Sequence, residues 1–369
     1  MRKRELLIIA AFAVMGVVAY QLTAAPAPDG RRRFSLANFM DELRRETDGR
    51  RAVATVTTEG TVDVATEVTE ARVSNISHVT IRGEARDDIA YTLQVESGGP
   101  NQEAARENAG RARLSEDRLG PILSLGARFP PGGRHVATLT LIVPARLRLR
   151  VEAAPGSGSL EARHVSDLEL DGLGGDVRIA DVAGLVSGTH HNGDLSVSAA
   201  DRVDLSLQNS EAVLDGIRTH LRLASRNGRS QINDARGPVE VTTQNDETVV
   251  RRPAAALRVT GMNGSLAIED PAGEVHVDVR RATVRVLLRR ATPATILAAD
   301  APLHLDIAGD PAIVVDAVAT DGGTITAEPF DVLPETRELD ARLRLALAEG
   351  GVPVALRNRR APIVIGRAK

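Results

Sequence analysis

Two adjacent histidines, His190 and His191, with Asp194 and Asp201 close behind, are the residues of this chain that most suggest a metal site. The chemistry does not follow from the types alone. Neighbouring residues of one strand point to opposite faces, so adjacent histidines cannot easily share an ion. The segment reads instead as loop or turn surface. Cysteine is absent, which excludes disulfides, thiolate metal sites, a cysteine nucleophile and a lipidated N-terminal cysteine. Serine, histidine and aspartate occur without a nucleophile-elbow motif. The glycine run at Gly172 lies between strands rather than between a strand and a helix, so it reads as a turn and not a phosphate cradle. No catalytic, cofactor-binding or metal-ligating residue is assigned, and no cofactor is expected.

A second set of polar residues is defined by spacing. Asp204, Arg222, Glu240, Arg258 and His276 recur every eighteen residues, with the sign of charge alternating among the first four. Stacked on adjacent strands, opposite charges contribute about 0.2–1 kcal/mol per pair. The alternation also opposes a slip by one repeat, which would set like charges side by side. This column is the candidate binding surface. His276 reads as a solvated member of it. Asn209, Asn227, Asn245 and Asn263 share the same step. Asn tolerates left-handed backbone in turns, and stacked amides can bond along a ladder. These four are the structural turn ladder.

The elements that must position both sets carry the same period. Leu185, Val203, Leu221, Val239, Leu257 and Val275 form one column, and Ser187, Leu205, Leu223, Val241, Val259 and Val277 a second. Leu214, Ile232, Val250, Ile268 and Val286 form a third. A repeat of this length with a two-residue alternation inside it means stacked strands, each coil covering the next. The other corner has Gly216, Asp234, Arg252 and Asp270. The expected fold is all-β: a single-stranded parallel β-solenoid with rungs of about 18 residues, an N-terminal transmembrane helix and a β-rich N-terminal cap.

Composition suits thin aliphatic layers. Aromatics are 2% of the chain, with no Trp, two Tyr and five Phe, against 43% hydrophobic residues overall. Net charge is −3, and Lys appears only at Lys3 and Lys369, so the other 44 basic residues are Arg. That balance gives no reason to expect nucleic acid as a partner. The N-terminus opens with Arg2, Lys3 and Arg4 before the apolar run Leu6–Tyr20, the pattern of an export signal or uncleaved anchor with its basic end inside.

The expected organisation is a signal anchor over 1–28, then a juxtamembrane linker over 29–51 with an amphipathic segment from Phe34. A β-rich part follows over 52–155, the regular solenoid over 156–333 and C-terminal cap strands over 334–369. Within 52–155, NQEAARENAGRARL from Asn101 breaks the alternation and reads as a helical excursion.

The segments RVSNISHVTIRG and LTLIVPARLRLRVEAAPGSGSLEA, followed by turns of the NGDLSV and NGSLAI type, resemble the bacterial "putative adhesin" family, a domain of unknown function, over roughly 65–366. The resemblance implies a single-stranded β-solenoid in the cell envelope, with no catalytic residues to carry over. The rung holding Gly188 to His191 and the pair Arg280-Arg281 depart from the family's pattern.

The expected function is a non-enzymatic, adhesin-like binding or scaffolding module. It would be tethered to the inner membrane by the Leu6–Tyr20 helix, would face the periplasm, and would take a protein or glycan ligand. Two alternatives stand beside it: a sensory ectodomain coupled to a membrane partner, and a carbohydrate-active β-helix enzyme, which would need clustered acids in a groove.

Overall fold

Apolar residues at every second position of short segments, separated by turn formers, produce strands with one buried face. The computed structural model describes residues 52–131, 134–152 and 158–368. Its regular part runs through the long strands Asp167–Ala180, Leu185–Ser198 and Arg202–Asp215. The pair His220–Arg226 and Arg229–Asn233 comes next, then Val239–Arg251, Leu257–Glu269 and Val275–Leu288. Successive rungs pair in parallel throughout this stretch. Each rung lays down a front strand, bends, and returns along a back strand.

The front ladder places Val203 beside Leu221, Leu221 beside Val239, Val239 beside Leu257 and Leu257 beside Val275. The back ladder stacks Leu214, Ile232, Val250, Ile268 and Val286 in the same way. All of these side chains are buried in one continuous hydrophobic cluster. Full burial of one Val or Leu stabilises by about 1.5–3 kcal/mol, so the columns are the principal cohesive element of the array.

The first rung of the two front columns needs a correction. Val186, not Leu185, lies beside Val203, and Gly188, not Ser187, beside Leu205. The return turn explains the slip. Ser198 lies opposite Asp215 and Arg202 opposite His220, so the turn closing this rung is one residue shorter than the next. Leu185 and Ser187 are consequently half-exposed, and Ser187 joins the outward column beside Asp204.

The Asn corners take left-handed backbone at Asn209, Asn227, Asn245 and Asn263, and also at Asn192. Their amides form a continuous chain. Asn263 donates to Asn245 (2.7 Å), Asn245 to Asn227 (2.9 Å), Asn227 to Asn209 (3.3 Å) and Asn209 to Asn192 (3.1 Å). At Arg281 the next rung keeps the left-handed backbone without the amide. Gly264 follows the corner with φ +104°, and a Cβ there would lie 2.1 Å from the Asp246 carbonyl oxygen. Rung-to-rung contact at this position requires glycine.

Chain order and stacking order part at both ends. The last strands, Val352–Arg359 and Ile363–Arg367, sit inside the stack. They pair on one side with Ala294–Ala299 and Leu303–Ile307, and on the other with Ile313–Thr320 and Ile325–Thr326. Asp340–Ala346 then pairs antiparallel beyond Ile313–Thr320. The N-terminal end mirrors this arrangement. Glu70–Ser74 and His78–Glu84 lie between the strands Ile122–Arg128 and His135–Pro144 and the strands Arg148–Glu152 and Gly158–Arg163. Antiparallel strands Asp88–Gly99 and Arg113–Leu119 lie outside. A short helix, α1 (Gln102–Arg111), fills the excursion and is capped by the Asn101 side chain.

The membrane part of the expected fold is corrected. No helix of the described residues is long and apolar enough to cross a membrane. The segment expected to do so, Leu6–Tyr20, lies outside the described residues, as does the amphipathic segment from Phe34. The described structure therefore gives no support to the expected transmembrane helix, membrane partner, membrane-displayed function or inner-membrane and periplasmic placement.

Candidate functional site

The front ladder carries its charged column on the outward positions. Asp204, Arg222, Glu240, Arg258 and His276 are direct lateral partners in successive rungs. Strand alternation puts them there: each is flanked by two buried residues of its own strand, such as Leu221 and Leu223 around Arg222. Two residues further on runs a column of small side chains, Ser206, Ala224, Thr242 and Thr260, and beyond it Gln208, Arg226, Gln244 and Met262. Small residues between longer ones leave a trough parallel to the stacking axis.

That trough is resolved as two adjoining hollows. One, of about 470 Å³, is bounded by Asp204, Arg222, Glu240 and Arg258, with Ser206, Thr242 and Thr260 among its other linings. The other, of about 290 Å³, shares Ser206, Ala224 and Thr242 and is bounded by Gln208, Arg226 and Gln244. Thr242 and Thr260 approach to 3.4 Å between hydroxyls along the floor.

Stacked opposite charges are expected to pair, and on the back of the protein they do. Arg229 reaches Glu247 at 2.8 Å and Arg251 reaches Glu269 at 3.1 Å. At the second corner Arg252 grips Asp234 with two bonds of 2.8 and 2.6 Å, and Arg290 grips Asp270 with bonds of 2.9 and 2.7 Å. The Arg252 hydrogen bond holds the Asp234 carboxyl below the usual carboxylate range. Among the described residues, no ion pair within 4.0 Å involves Asp204, Arg222, Glu240 or Arg258. The expected ladder pairing in this column is therefore absent, and its charged groups face the trough rather than each other.

His190 also departs from expectation. It is buried at 1% exposure on the inner side of its strand, while His191 is exposed. Its Nε2 lies 2.9 Å from the Gly175 carbonyl oxygen and its Nδ1 3.0 Å from Ser210 Oγ. Burial pushes the imidazole below its ordinary pKa. Among the described residues no group of three His, Asp or Glu side chains is placed to hold a metal ion.

Sequence reasoning missed Asp246. Its carboxylate is buried behind the Asn corner and accepts from Ser225 Oγ at 2.9 Å, the Gly228 amide at 3.0 Å and Thr248 Oγ1 at 3.0 Å. Ser230 donates in turn to Ser225 (3.1 Å). The available signal was the Asn-Asp pair at 245–246, where an inward-pointing acid follows a corner residue. With its lone pairs engaged inside, Asp246 belongs to the scaffold and not to the trough.

No family model and no curated relative matches the chain. Several solved structures are similar to it along much of their length. A "putative adhesin" from Parabacteroides merdae is 12% identical, with 70% of this chain and 97% of that chain covered and a TM-score of 0.40. A "putative adhesin" from Parabacteroides distasonis is 12% identical over 68% and 97%, with a TM-score of 0.38. A "putative cell adhesion protein" from Clostridium sporogenes is 10% identical over 85% and 100%, with a TM-score of 0.20.

Proposed function

We propose that the protein is a non-enzymatic binding module that seats an extended polar ligand in the front trough, along the stacking axis. One observation carries this reading: the trough wall holds four charged side chains with no ion-pair partner among the described residues, in a protein that pairs stacked charges elsewhere. Charged groups that the fold leaves uncompensated are available to a partner. Asp204 lies between Ser187 and Arg222, and Glu240 between two arginines, so neither acid has another acid on an adjacent rung of this column.

The test is to fill the trough. Ala224→Gln combined with Thr242→Gln places two long, neutral side chains on the floor at exposed, outward positions. Full-length wild-type protein is screened against immobilised acidic and neutral polysaccharides and extended peptides. The filled variant, folded by circular dichroism, should lose whatever binding is found. Undiminished binding would place the ligand elsewhere.

A further inference from the structure

The trough also indicates what kind of chain it takes; this step rests on the binding reading above. Front strands are hydrogen-bonded to a parallel neighbour on both sides through the regular rungs. Their backbone groups are committed, so a ligand lying over this face meets side chains only. A peptide adding itself as a strand has nothing to bond there, since that mode needs a free sheet edge. None of the residues lining the two hollows is aromatic. A ligand cannot be held by stacking on a ring, and recognition falls to hydrogen bonds and charge.

The side chains that remain recur at the strand spacing of ~4.8 Å, with sign alternating, so like groups lie ~9.6 Å apart. Arg222 and Arg258 are planar forks suited to carboxylates. Asp204 and Glu240, when ionised, only accept, so they call for hydroxyl or amide donors and repel a second carboxylate. Ser206, Thr242 and Thr260 supply hydroxyls along the floor. From these groups we infer that the ligand is a linear polysaccharide bearing a carboxylate on every second sugar. Acidic sugars face Arg222 and Arg258. The sugars between them present hydroxyls or amides to Asp204 and Glu240. A polymer with an acid on every sugar would press carboxylates against Glu240, and a neutral polymer would leave both arginines without a counter-charge.

Calorimetric titration of the full-length protein with three oligosaccharides of equal length tests this. One alternates glucuronate with N-acetylglucosamine, one is oligogalacturonate, and one is a neutral cello-oligosaccharide. The alternating oligomer should bind at least tenfold more tightly than either other. Glu240→Arg makes the wall basic over three successive rungs and should reverse the preference towards oligogalacturonate, a switch that misfolding cannot produce. Equal affinities, no binding by any of the three, an unchanged ranking in Glu240→Arg, or a peptide that outcompetes all three would overturn the ligand class. The filled variant, Ala224→Gln with Thr242→Gln, separates the two levels. If it abolishes binding of a different polymer, the trough remains the binding site and only the ligand class falls. If it leaves binding untouched, both fall.

Discussion

Replacing Asp246 with alanine tests whether the corner network is held from inside. The carboxylate accepts three hydrogen bonds at 2.9–3.0 Å and is 2% exposed. Alanine removes both acceptor oxygens and with them all three bonds. The Gly228 amide, fixed by the backbone, then has no acceptor from this side chain, and an unsatisfied buried donor costs about 1–3 kcal/mol. Ser225 and Thr248 can rotate their hydroxyls towards other acceptors, so each adds about 0.5–1.5 kcal/mol at most. Removing a buried charge returns part of this, because its desolvation penalty disappears. The net expectation is a loss of about 2–4 kcal/mol. Asp246→Asn keeps one oxygen for Ser225 and Gly228 and turns an amide towards Thr248, whose hydroxyl can accept. Its cost should be about 1 kcal/mol. Urea denaturation of the full-length protein measures both, and amide exchange at Gly228 checks the locality, since rungs of a solenoid can open separately. An alanine variant within about 0.5 kcal/mol of wild type, or an asparagine variant as damaged as the alanine one, would refute the network argument.

Other consequences can be measured on the same material. Leu223→Ala, at a site 1% exposed between neighbouring rungs, should cost about 2–5 kcal/mol in the same denaturation experiment. Because the folded His190 pKa lies below its unfolded value, the unfolded chain binds the extra proton first. Stability should therefore fall as pH drops below about 6.5, and His190→Leu should show a smaller fall in melting temperature between neutral and acid pH. The Asp234 carboxyl is depressed by Arg252, so its contribution is full above the ordinary carboxylate range and lost as pH falls through the folded value. Carbon-detected NMR titration should show the Asp234 midpoint moving up in Arg252→Ala. Deleting residues 352–369 removes strands that have neighbours on both sides and should yield aggregates by size-exclusion chromatography.

The regular array was legible because a stacked core requires an apolar residue over each apolar residue, and five successive rungs obey one step. Val203 to Val275 and Leu214 to Val286 could be read directly. Leu185 was misplaced because one return turn is a residue short, and a fixed step cannot register a single shortened corner. Asn192 escaped for the same reason, lying seventeen residues before Asn209. His190 was assigned to a surface turn because the Gly188 rung is irregular, whereas the strand continues and turns that ring inward. The insertion of 352–367 beneath 313–326 was not legible at all. Periodicity says which residues can form a rung, but not which rung is its neighbour when the connection skips one. The charged column was legible as a column. Its lack of mutual pairing was not, because sequence gives adjacency along the ladder but not side-chain direction.

That last difference bears on how such a chain divides its labour. Both ladders have the same rung spacing, so any pair of opposite charges in lateral register has the same backbone separation on front and back. On the back and at the second corner the arginines close onto acids, and these contacts tie rung to rung. On the front they stand beside a trough floored by side chains too short to engage them. The short turns between successive strands, together with these back and corner ion pairs, set which rung lies beside which. Register therefore does not depend on the front column, and those positions can be set by a ligand's needs. Exposed strand positions gain from β-branched or aromatic cross-strand pairs, as Thr242 and Thr260 do, yet Ser206 and Ala224 forgo that gain beside the trough. This surface gives up charge pairing from Asp204 to Arg258 and cross-strand packing at Ser206 and Ala224, as the proposed binding along the trough requires.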